Sequence, residues 1–331
     1  MEETLETSCF ISMHRNQINP TMAPKSTLTF AHGDRVYQKI GRQMAGNDNV
    51  LRTKILIEIN EIFHHGDKLN EALDSEILNE LVRGFEEEDK RIRELASRAI
   101  IKVANSEKGR YILVEDEIIP KIRELFNDEE IQIRANSYLT MINIAEFTFG
   151  IDSIINFNIM PILIDKLVQE KEESILILIL KLLKILNEGE LAPMVIQGSE
   201  ALSRLNKHLK SEEPEIRELA ALNLGSISYN SIGKESTIDA GSIPPLCNML
   251  RDQISQVRTA SARALVSLSQ YKEGKVQIYD LDMLNEVIGL LIDKSVQTKL
   301  NIVQLICNLA EYPPAKEKFR EALPILKEMV E

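Results

Sequence analysis

Apolar and charged residues alternate along this chain with the spacing of amphipathic helices, and the same pattern is written more than once. "RIRELASRAIIKVA" begins at Arg91, and "EIRELAALNLGSIS" begins at Glu215. Arg93 and Arg217 take the same slot in the two copies, 124 residues apart. Further copies align on that slot: "NVLRTKILIEINEIF" with Arg52, "IQIRANSYLTMINIA" with Arg134, "SQVRTASARALVSLS" with Arg258 and "VQTKLNIVQLICNLA" with Lys299. The steps 52→93, 93→134, 217→258 and 258→299 are each 41 residues, and 134→217 is 83. Glu173 to Leu186 fills that longer gap, with Ile175 or Leu176 where the cation stands elsewhere. Seven copies at one period predict a repeat architecture.

Glycines at 109, 150, 233 and 274 follow the slot helix at a constant distance and read as left-handed caps at its end. Prolines then open a second helix: Pro120 with Ile122 and Phe126, Pro161 with Leu163 and Leu167, Pro244 with Leu246 and Leu250, Pro324 with Leu326 and Val330. Proline suits a first helical turn, and apolar residues two and six further on share one face. No sustained period-2 alternation with turn dipeptides predicts a strand. Each unit reads as a short helix, a Pro-led helix, an acidic loop and a long slot helix. The slot cation follows "EEED" at 86–89, "NDEE" at 127–130, "SEE" at 211–213 and "RD" at 251–252. A carboxylate of that preceding loop is expected beside it, offsetting the unfavourable macrodipole, so the cation marks register rather than a ligand.

This order at this period resembles the armadillo repeat; HEAT repeats share the period range but usually have two helices. The resemblance implies an all-α, right-handed superhelical solenoid of about seven units of about 41 residues. It covers residues 34–331, preceded by an extended N-terminal arm over 1–33, where "INPTMAPKSTLTFAHG" carries two prolines and Phe30 is placed to anchor the arm.

In such a solenoid the third helices line a concave groove. Nine residues after the slot stand Glu61, Lys102, Asn143, Lys184, Ser226, Ser267 and Asn308; five after it stand Ile57, Arg98, Leu139, Leu180, Leu222, Arg263 and Gln304. The two columns are one turn apart and share a face. Armadillo import receptors hold basic peptides with an asparagine ladder and tryptophans. Only Asn143 and Asn308 fill the ladder slot here and the chain has no Trp, which argues against that reading. Mixed charges in the columns also argue against a basic groove for acidic peptides. The middle of the groove is apolar, and the candidate partner-binding residues are Leu139, Asn143, Leu176, Leu180, Lys184, Leu222, Ser226 and Arg263. The leucines either receive the apolar face of a partner helix or pack third helix against third helix.

Composition narrows the classes. The 331 residues are 44% hydrophobic and 27% charged, as in an ordinary folded protein. A net charge of −12 argues against nucleic acid or an anionic membrane as partner. "ILILILKLLKIL" (175–186) is too short, at 12 residues with two lysines, to span a bilayer. The acidic start "MEETLETSCF" lacks the regions of a signal peptide. Cys9, Cys247 and Cys307 lie far apart, which suits a reducing compartment. None of the five histidines has metal-ligand spacing, His64 and His65 reading as a helix-end pair, and no nucleotide, nucleophile-elbow or zincin motif occurs. No enzyme and no cofactor is expected.

Short motifs suggest a narrower relationship. Pro20 to Pro24 as Pro-Thr-x-Ala-Pro, then Phe30 and His32-Gly33, together with "GRY" at 109–111, "LFNDEEIQIRAN" and "EGK" at 273–275, resemble the radial spoke head protein 14 homologues of cilia and flagella. That resemblance implies a non-catalytic scaffold of the axonemal radial spoke, in the cytoplasm and cytoskeleton of the cilium, with helical scaffold subunits of the spoke as partners. An acidic chain is a poor ligand for acidic tubulin tails, so the spoke body is favoured over the microtubule. The family is expected to continue into a further helix beyond "ALPILKEMVE", and Ile175 departs from the cationic slot. Two other readings share the fold: a ciliary armadillo scaffold of the central apparatus or dynein docking, and a soluble transport or signalling adaptor.

Overall fold

The computed structural model describes residues 35–46, 48–75, 77–187 and 200–328. The expected arm, with Pro20, Pro24 and Phe30, and the terminal Val330 lie outside the described residues. Among the described residues there are α- and 3-10 helices and no strand. The chain divides into two compact units, 1–153 and 154–331.

The first unit contains α1 (Arg35–Met44), α2 (Asn49–Ile62), α3 (Gly66–Leu73), α4 (Ile77–Arg83), α5 (Lys90–Ala104), α6 (Glu107–Glu115), α7 (Ile119–Glu124) and α8 (Ile131–Ile144). The boundary falls inside α9 (Thr148–Asn156). The second unit continues with α10 (Ile159–Gln169), α11 (Glu173–Leu186), α12 (Ala201–His208), α13 (Pro214–Ile227), α14 (Ser231–Asp239), α15 (Ile243–Met249), α16 (Ser255–Leu268), α17 (Lys272–Asp280), α18 (Leu284–Gly289), α19 (Val296–Leu309), α20 (Pro313–Lys318) and α21 (Leu323–Glu328).

The short helix, Pro-led helix and long slot helix are visible in α6–α7–α8 and α14–α15–α16, and α17–α18–α19 keeps the same order with no proline in α18. Pro120 and Pro244 open α7 and α15, and Ile122, Phe126, Leu163, Leu167, Leu246 and Leu250 are buried as their spacing requires. In the first unit the slot helices α2, α5 and α8 pack side by side; in the second, α11, α13, α16 and α19 do so. Phe126 and Tyr138 stack with ring centroids 4.2 Å apart and join second to third helix in one core layer.

The glycines correct an expectation. Gly109, Gly150, Gly233 and Gly274 are not left-handed caps; each lies in the short helix that follows the slot helix, three residues past its entry. A Cβ there would stand 2.0 Å from the Val103 carbonyl oxygen, 1.9 Å from that of Ile144, 1.9 Å from Ile227 and 2.2 Å from Leu268. These glycines allow one helix to turn tightly onto the last turn of its predecessor. The left-handed residues come later, between first and second helices: Glu117, Asn158, Gly241 and Asp282 have φ of 53°, 57°, 69° and 52°. They too keep the repeat spacing, and three of the four are not glycine. Ile118 and Ser242 each close the turn with an N–H bond five residues back, to Leu113 and Thr237.

Candidate functional site

The slot arginines are spent inside the fold. Arg93 Nε donates to Asp128 Oδ2 at 2.7 Å and Nη2 to Oδ1 at 3.3 Å, while Nη1 reaches the carbonyls of Glu87 and Glu88. Arg217 does the same with Asp252 and the carbonyls of Ser211 and Glu212. Arg258 repeats it with Asp293, Asp252 and Gln253, and Arg52 meets Glu87. The carboxylate therefore comes from the loop of the next repeat, 35 residues on, and not from the preceding loop, which offers only carbonyl oxygens. Asp128, Asp252 and Asp293 also accept the N–H of Glu130, Ile254 and Ser295 at the entry of the next slot helix. One carboxylate thus fixes both the previous guanidinium and the following helix. Burial pushes the Asp252 pKa up, but the Arg217 hydrogen bond, the Ile254 N–H and the charges of Arg217 and Arg258 together bring it below the ordinary value.

A second clasp joins successive short helices. Arg110, just after Gly109, donates to Glu146 Oε2 at 2.9 Å and lies 6.0 Å from the Phe147 ring centre. Lys234, after Gly233, donates to Gln270 at 2.6 Å and lies 5.2 Å from Tyr271. Lys275, after Gly274, pairs with Glu311, which precedes Tyr312. The "GRY" and "EGK" motifs both supply the cation of this clasp. The sequence offered a signal for it, Gly-cation followed 36 residues later by an acid or amide and an aromatic, but only the contacts show what it joins.

Asparagines on the slot helices are also turned inward. Asn60 donates to Leu95 O at 3.0 Å, Asn223 to Leu180 O at 3.0 Å, Asn301 to Thr259 O at 3.1 Å and Asn308 to Val266 O at 3.0 Å. Asn143 donates to Asn105 Oδ1. Both ladder-slot asparagines of the sequence thus bond within the stack.

Leu139 and Asn143, on α8 of the first unit, are half-buried. In the second unit Leu222, Ser226 and Lys184 are half-buried and Arg263 is exposed. Leu176 is buried and Leu180 has no exposed surface, so these two pack helix on helix and present nothing to solvent. Of the candidates in the second unit, Lys184 on α11, Leu222 and Ser226 on α13 and Arg263 on α16 therefore keep surface open to a partner.

Candidate chemistry is sparse. Among the described residues no three His, Cys, Asp or Glu side chains are grouped to hold a metal, and no helix is long and apolar enough to cross a membrane. Burial pushes the Cys247 thiol up to about 12, whereas Cys307 is exposed. His64 Nε2 lies 3.0 Å from Lys102 Nζ and His208 Nε2 lies 2.8 Å from Leu167 O.

Comparison with known proteins agrees with this architecture. A HEAT-repeat family model matches residues 243–271, which span α15 and α16. Over 96% of this chain and 80% of the other, the fold is similar to that of an engineered protein, with a TM-score of 0.78 and 18% identity. A designed armadillo repeat protein, solved in complex with the peptide (KR)4, is similar over 71% of this chain and all of its own length, with a TM-score of 0.65 and 18% identity. Over the described residues the chain has an all-helical repeat-solenoid fold of the armadillo and HEAT type.

Proposed function

We propose that the chain is a non-catalytic scaffold subunit of the axonemal radial spoke, working in the cilium or flagellum and holding helical segments of other spoke subunits against its slot helices. The inward asparagines carry the helical part of this reading. An extended peptide needs side-chain amides to bond its backbone. Asn223 gives its amide to the carbonyls of Leu180 and Leu219, Asn308 gives its own to the Val266 carbonyl and the Ser269 hydroxyl, and Asn301 bonds the Thr259 carbonyl, all within their own stack. A partner helix satisfies its backbone internally and asks only for apolar contact and a polar rim, which Leu222, Ser226 and Arg263 supply. The ciliary part rests on the motifs at 20–33, 109–111 and 273–275.

Proteins recovered with the full chain from salt-extracted axonemes test the ciliary part. Spoke scaffold subunits are expected; recovery with central-apparatus, dynein-docking or nuclear-transport factors instead would replace the reading. Leu222→Arg tests the wall. Recovery should fall about tenfold or more while the melting temperature stays within a few degrees, because burying an unpaired cation in an apolar contact costs well over 1.4 kcal/mol. Unchanged recovery would remove the wall as the docking face.

A further inference from the structure

The aromatic residues of this chain are few, yet three of them meet on the surface where α6 and α9 adjoin. Tyr111 is 57% exposed and Phe149 45% exposed, with ring centres 6.4 Å apart; Phe147 lies 6.1 Å from Phe149. Beside them is a cleft of about 550 Å³ lined by Glu107, Lys108, Arg110, Tyr111 and Phe147, all within the first unit.

The repeat accounts for only part of this surface. Phe147 belongs to the second clasp, beneath Arg110. It stands at the slot where Ser106 and Asn230 cap their helices by accepting the N–H of Gly109 and Gly233. Tyr111 and Phe149 have no such task. Forty-one residues before Phe149 the slot holds Lys108, and in the later repeats the two slots hold Glu235, Val276, Ile232 and Glu273. Nothing in the repeat requires rings there, and exposing them forfeits their burial.

The charges of the cleft define what would cover the rings. Lys108 is paired with Asp74 at 2.5 Å and Arg110 with Glu146 at 2.9 Å, so both cations are neutralised. Glu107 has no ion-pair partner among the described residues, which leaves the cleft one negative charge over. Its rings add the negative faces of their π systems. Arg110 over Phe147 already shows a guanidinium seated on an aromatic face within this surface.

We propose that the cleft lined by Tyr111 and Phe147, with the exposed Phe149 ring beside it, is a second docking site, separate from the slot-helix wall, for an arginine- or lysine-bearing extended segment of a partner protein. The cation lies over Tyr111 or Phe149 and faces Glu107, and the aliphatic stem of its side chain covers ring surface. The site does not depend on the radial-spoke reading.

Calorimetric titration of the full chain with an octapeptide of alternating lysine and arginine, at about 150 mM salt to screen diffuse attraction, tests it. Saturable binding is expected. Tyr111→Ala combined with Phe149→Ala should weaken it about tenfold, in keeping with loss of the cation–π contact and of the ring surface that the stem covers, and Glu107→Gln should weaken it a few-fold. Tyr229→Ala, which removes an 88% exposed ring in the second unit, should leave it unchanged. Both ring variants remove exposed side chains, so their melting temperatures should match the parent, which separates lost binding from lost folding. The proposal is overturned if the double variant binds like the parent, if an uncharged analogue with citrulline and norleucine binds as tightly, or if the parent shows no saturation. A concentration-dependent dimer abolished by the double variant would make a second copy of the chain the occupant and would equally overturn it.

Discussion

At the scale of single residues, the slot cation is the most informative side chain. Arg217 gives up solvent, which is unfavourable for a guanidinium, and regains a two-point bond to Asp252 and two carbonyl contacts. Removing one partner of such a pair leaves the other partly buried and uncompensated. Arg217→Met is therefore expected to destabilise the second unit by about 2–3 kcal/mol, read from the denaturant midpoint. The pH dependence follows from Asp252. Its folded pKa lies below the 3.8 of the free group, so its stabilisation is complete above about pH 3.8 and is lost as pH falls through the lower folded value. Acid titration of stability should show a smaller loss in this window for Arg217→Met than for the parent. An equal loss in both would mean that Asp252 owes its ionisation to other groups. The slot itself was legible in the sequence because the cation recurs every 41 residues. Its partner was not, since a loop next in sequence looks nearer than one 35 residues away, and only the stack brings the second loop alongside.

At the scale of elements, the two kinds of glycine should respond to alanine with opposite sign. Gly233 sits where a Cβ would meet the Ile227 carbonyl at 1.9 Å, so Gly233→Ala must push α14 off α13 and is expected to cost about 2–3 kcal/mol. Gly289 has helical φ and ψ of −59° and −30° and nothing within 4 Å of the added carbon. Gly289→Ala should stabilise by about 0.5–1 kcal/mol by restricting the unfolded chain. Thermal melts of the two variants check both signs, and a neutral Gly233→Ala would show that the helix junction is soft. Helix order and the Pro-led second helices followed from the sequence, because missing N–H groups and apolar spacing act locally. The role of these glycines did not: a constant interval identifies a recurring constraint without saying whether it is a positive φ or a close approach. Leu180 was similarly ambiguous. Its column position is shared by half-buried Leu222 and exposed Arg263, yet it has no exposed surface, since α11 is apolar around most of its circumference.

At the scale of the whole molecule, the period made the solenoid fold readable, whereas the proposed ciliary partner rests only on short motifs at 20–33, 109–111 and 273–275. Two of these, in "GRY" and "EGK", also build the inter-helix clasp, so their presence is explained by packing before any ciliary role is considered. In repeat proteins stability is a sum of repeat and nearest-neighbour contributions. Hydrogen exchange of Arg217→Met should therefore lose protection chiefly in α13 and α16, which the bond to the Asp252 loop joins, and less in α19. Uniform loss across the second unit would indicate a single cooperative block there.

The reach of the arginine clasp works as a ruler. Because Arg93, Arg217 and Arg258 each find their carboxylate 35 residues ahead, a one-residue insertion between them would shift that carboxylate out of range. Length can then drift only where the clasp is missing. The one irregular interval of the array, 83 residues where two periods would give 82, contains Ile175 in place of the cation, which makes that repeat the place where added loops or fused tags should be tolerated best.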